Sequence, residues 1–155
     1  MQSMIEREEH AVIEQVVRQA GLTCLGDVLR KGQWYASLYL SSASQIMDLE
    51  KPVEPVNVKG ECSNWRLISF QLTHPTQVGL ELILVGERGP KRTVTVTSPI
   101  EAIDSVNGMV RTRNSVYRIR LDKPGVGEPP AKHLIAICRT LRSWGLGPAF
   151  GIPRI

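Results

Sequence analysis

The sequence predicts an α+β fold: an antiparallel β-sheet or small, partly closed β-barrel flanked by an N-terminal and a C-terminal helix. Three observations carry this. The first twenty residues and those after residue 128 repeat apolar positions at helical spacing, whereas most of the stretch between them alternates or is rich in β-branched residues. Gly- or Pro-containing separations between the candidate strands are short, which favours antiparallel neighbours. At 155 residues with 42% hydrophobic and 22% charged content, residues 1–155 fit one domain with an ordinary core.

The elements follow in order. Ser3 and Glu6 have the spacing of a capping box, and Ile5, Val12, Ile13, Val16, Val17 and Ala20 form one apolar stripe that Gly21 ends. Strands are expected over 33–40, 65–73, 78–85 and 93–97. His74-Pro75-Thr76 separates the second from the third, and residues 86–90 separate the third from the fourth. Between Leu40 and Trp65 the pattern fails, and a short helix over 44–50, ended by Pro52 and Pro55, is expected there. Two more strands, 108–113 and 116–121, flank Asn114-Ser115 as a two-residue turn. Pro129 and Pro130 open the last helix, whose apolar face is Leu134, Ile135, Ile137, Cys138, Leu141 and Trp144; Gly145 caps it. Trp34, Trp65 and Trp144 are assigned to the core.

Several function classes are disfavoured. No apolar run reaches the roughly 18–20 residues a membrane span needs. The opening residues are acidic where a signal peptide would be basic and then apolar, so a cytoplasmic protein without membrane partners is expected. Cys24, Cys62 and Cys138 are widely spaced and odd in number, which suits buried small side chains better than a disulfide framework or a metal pair. His10, His74 and His133 belong to no catalytic signature, and His133 is placed on the solvated side of the last helix. No catalytic residue, metal ligand or cofactor is assigned, and the balance is against an enzyme.

Charge points elsewhere. The net charge is +4, but residues 1–90 hold 8 basic against 11 acidic side chains, while residues 91–155 hold 11 against 4. Such asymmetry suggests an anionic partner. With Asn114-Ser115 as the turn, Arg113 would face Val116, Arg111 would face Arg118 and Met109 would face Arg120. Cross-strand partners share a sheet face, so Arg111, Arg113, Arg118 and Arg120 would crowd together. Like charges so placed need either carboxylates over them or an external anion. Lys91 and Arg92, after Gly86-Glu87-Arg88-Gly89-Pro90, would extend this surface. Arginine forks suit phosphate, so a non-enzymatic binding or regulatory protein engaging a nucleic acid backbone is the first expectation. The alternative is an interaction or inhibitor module meeting an acidic protein surface with the same residues. The plainer reading is a sheet face whose charges splay into water.

Overall fold

The computed structural model describes residues 35–74 and 77–145. The expected first helix, His10, Cys24, Trp34 and the segment 146–155 lie outside them. The described elements are β1 (Tyr35–Leu40), α1 (Ala43–Met47), β2 (Val58–His74), β3 (Gln77–Arg88), β4 (Thr93–Val96), β5 (Ile100–Asp104), β6 (Met109–Thr112), β7 (Val116–Ile119) and α2 (Ala131–Ser143).

All seven strands join one sheet in the order β4-β3-β2-β7-β6-β5, and β1 also pairs with β2. β2 is long enough to take two neighbours along one edge. Its start runs parallel to β7, from Val58↔Val116 to Cys62↔Ile119. Its end runs antiparallel to β1, from Ile68↔Leu40 to Thr73↔Tyr35. The sheet is therefore mixed and open, not the antiparallel or partly closed sheet expected from the sequence. Short connections did give antiparallel neighbours, as in β2–β3 and β6–β7. The parallel pair joins residues about sixty apart in sequence, which no local turn signal announces.

The sheet curls strongly. The Thr97 N–H donates to the Leu84 carbonyl at 3.0 Å, and the Arg113 N–H donates to the Pro99 carbonyl at 2.9 Å, which draws β5 and the tip of the β6–β7 hairpin toward β3. Inside the curl, Leu67, Leu82, Leu84, Ile100, Ile103, Val110, Tyr117 and Ile119 form one core, with Ile46 and Leu49 packed against it. On the outer face, α2 lays Leu134, Ile137, Cys138 and Leu141 over Ile68, Phe70, Ile83 and Val85. Burial of that stripe, not intrinsic propensity, is what holds α2. Trp144 does not join it and is 38% exposed, because the helix ends at Gly145 (φ +85°) just beyond the sheet.

Residues 41–57 hold α1, capped reciprocally by Ser42 and Gln45, followed by an extended strap. Pro52 and Pro55 cannot continue a helix, and the strap instead lies along the outer edge of β5. Lys51 N–H donates to Ile103 O at 3.0 Å, Ile103 N–H donates to Leu49 O at 2.9 Å, and Val53 N–H donates to the Asp104 carboxylate at 3.2 Å. Val53 buries itself against Ala102 and Met109 in a small third cluster on the outer face. β5 itself was not expected; in its short sequence, Ile-Glu-Ala-Ile-Asp, two Ile are outnumbered by Glu, Ala and Asp, which strands disfavour.

Candidate functional site: an uncovered basic strip beside a buried carboxylate

The β6–β7 hairpin departs from its expected register. Arg111 pairs with Val116, Val110 with Tyr117, and Met109 with Arg118, so the turn centres on Arg113-Asn114, one residue early. The Thr112 N–H and hydroxyl both donate to the Ser115 carbonyl (2.8 and 3.1 Å), and the Ser115 N–H donates to the Thr112 hydroxyl at 3.1 Å. With the hydroxyl replacing a backbone acceptor, the turn closes without left-handed residues; neither Arg113 nor Asn114 has positive φ. A two-residue turn at Asn114-Ser115 would normally demand them. The shift moves each partner by two, so every side chain keeps its face. No arginine sits opposite another: Met109 is buried under Val53, and the like-charge conflict disappears.

The outer face of the sheet is covered on one side by the strap and on the other by α2. A strip of β2 and β7 stays open between them. On it stand Lys59 and Arg118, both exposed, with half-buried Arg111 beside them. None of the three has a carboxylate partner among the described residues, although Arg118 neighbours Glu61 by register. Two clefts open here. One, of about 440 Å³, is lined by Lys59, Arg111, Arg113, Asn57 and Ser115, with Glu101 as its acidic member. The other, of about 530 Å³, is lined by Lys59, Ser63, Arg120 and Lys123, with Glu61 and Glu87.

The other expected basic residues are dispersed. Arg120 is held by Asp122 through two bonds (3.1 and 2.9 Å) and lies 3.8 Å from Glu61. Its ion pair holds the Asp122 carboxyl below its ordinary range. Arg113 lies 3.8 Å from Glu81, both exposed. Lys91 and Arg92 are exposed in the β3–β4 turn, beyond Gly89, which borders the second cleft. That turn is shorter than expected, residues 89–92, closed by Arg92 N–H to Gly89 O at 3.1 Å with Gly89 and Arg92 at positive φ.

Residues 86–88 belong to β3 instead, and this creates a feature the sequence reading missed. Glu87 follows Ile83 and Val85 on the outer face and is 5% exposed. One carboxylate oxygen accepts from Asn64 Nδ2 (2.7 Å) and from His133 Nε2 (2.8 Å); the other lies 3.2 Å from Lys132 Nζ. Asn64 reaches it from a bulge in β2 where its own φ is +46°. Next to it, buried Arg66 donates to the carbonyls of Gly127 (2.9 Å) and Val126 (3.0 Å), lacing the loop before α2 onto the sheet.

His133 is fully buried, not solvated as expected from the sequence. Two signals were present: it lies four residues before Ile137 and eight before Leu141 on the core-facing stripe, and Glu87 continues the alternation of β3. Burial pushes the Glu87 pKa up, but the bonds from Asn64, His133 and Lys132 outweigh this and hold it below the ordinary value. Burial lowers the His133 pKa, and Arg66 and Lys132 add to this, against the raising effect of Glu87. At neutral pH the pair is thus a carboxylate and a neutral imidazole protonated on Nε2. His133 Nδ1, buried without a partner among the described residues, carries a lone pair there rather than an orphaned N–H. Pro130 offers α2 no side-chain cap, so Glu87, bridging two residues of the first turn, also places negative charge at the positive helix end.

Cys62 and Cys138 are buried free thiols, and burial pushes both pKa values up to about 11. Among the described residues no group of His, Cys, Asp or Glu could hold a metal, and no helix is long and apolar enough to cross a membrane. No protein-family model, curated protein or solved structure matches the chain.

Proposed function

We propose that this protein is a non-enzymatic binding or regulatory module that engages the phosphate backbone of a nucleic acid through the strip bearing Lys59, Arg111 and Arg118. Arg113, Lys91 and Arg92 would add contacts at its margin, and Arg120 would do so only by exchanging Asp122 for phosphate. One observation carries the reading: Lys59, Arg111 and Arg118 stand together on uncovered sheet without carboxylate partners among the described residues. Planar guanidinium groups bind phosphate through paired bonds, and unpaired cations gain most from an external anion.

Titration of labelled single- and double-stranded oligonucleotides across a salt series tests it. Affinity should fall linearly with log salt, and Arg111→Ala/Arg118→Ala should reduce the slope by about one to two. Absence of binding at low ionic strength would end the reading and turn attention to an acidic protein partner.

A further inference from the structure

Resting on that reading, we infer that the ligand is a single strand, threaded along the start of β2 from the Arg111 cleft past Lys59 into the Lys123 cleft. The two clefts are neighbours on the outer face, and Lys59 borders both. Their floor follows residues 57–63 at the start of β2, a path of roughly 20 Å at the usual strand rise. Cations mark both ends and the middle: Arg111 lines the first cleft, Lys59 borders both, and exposed Lys123 lines the second, with Arg118 beside Glu61 by register.

Of the acidic side chains in the second cleft, Glu87 is neutralised by Lys132 and Glu61 lies beside Arg120. A phosphate passing Lys123 therefore meets no unpaired carboxylate there. The strap borders the first cleft through Val56 and Asn57, and the end of β3 borders the second through Arg88 and Gly89. A flexible single strand can follow a walled trough, whereas a duplex, stiff over about 150 base pairs, can touch only its rim. Charged grooves that track the backbone are the usual means of holding single strands. Among the described residues no aromatic side chain lines either cleft, and Tyr117 is buried beneath Arg88. Binding without base stacking should be indifferent to sequence and strongly salt-dependent.

The test compares a labelled oligothymidylate of about 12 nucleotides, within the range such grooves cover, with a hairpin duplex carrying the same number of phosphates. The single strand should bind about tenfold or more tighter at equal salt. Lys123→Ala should weaken single-strand binding several-fold and lower its salt slope by about 0.7, leaving any duplex binding unchanged. Equal affinity, a duplex preference, or an inert Lys123→Ala would overturn the threading while leaving backbone binding intact. If neither nucleic acid binds at low salt, both readings fall together.

Discussion

Glu87 shows how much one buried carboxylate can organise. Three donors from two elements converge on it, and without it the Asn64 amide and the fully buried His133 N–H lose their acceptor. Removing the acceptor of a buried donor costs about 1–3 kcal/mol, because the His133 N–H stays desolvated and unpaired. Glu87→Ala should therefore lower the unfolding free energy by an amount of that order, measured by urea denaturation. The same cluster sets a pH dependence. His133 binds its proton less readily folded than unfolded, so stability is constant above about pH 6.5 and declines as pH falls below it. The slope approaches about 1.4 kcal/mol per pH unit for one proton. Glu87, whose folded pKa is also depressed, adds a second decline below about pH 4.5, where the unfolded carboxyl takes up a proton first. Replacing the imidazole in His133→Gln should flatten the first decline and keep the second, in denaturation curves run from about pH 2.5 to about pH 8. A variant with an unchanged profile would mean that His133 stays equally protonated in both states.

At the level of elements, the Thr112 hydroxyl decides where the β6–β7 hairpin turns. Thr112→Val keeps the volume of a side chain that is 2% exposed but removes both hydroxyl bonds to Ser115. The expected cost is about 1–3 kcal/mol, with faster hydrogen exchange at the Ser115 amide, which loses its acceptor. This also explains what the sequence could and could not disclose. Proline at its start, an apolar stripe and a closing glycine made α2 readable, since each acts locally. The existence of the hairpin was readable from its two β-rich runs, but its register was not, because one hydroxyl bond moved it. Gly86 was read as loop for a similar reason. In the fold it is a strand residue whose Cβ would sit 3.1 Å from that of Cys62 and 3.2 Å from that of Trp65. Close approach looks, in a sequence, the same as a turn.

Over the whole molecule, the charge asymmetry of the chain marked four arginines and the Lys91–Arg92 pair, but not Lys59. That residue lies in the acidic first half, in a stretch without pattern, and becomes central only through the long-range pairing of β2 with β7. The same sheet also separates two cores. Ile83 and Leu84 are adjacent in β3 and fully buried, yet Ile83 faces α2 and Leu84 faces the interior of the curl. Truncating either to Ala should cost about 2–5 kcal/mol. If the sheet couples the cores into one cooperative unit, each variant should destabilise both sides equally. Native-state hydrogen exchange checks this through amides of α2 on one side and β6 on the other. Leu84→Ala should accelerate the slowest α2 amides as much as those of β6, although it removes no contact with the helix. Acceleration confined to β6 would mean that α2 and its face of the sheet open independently of the curl.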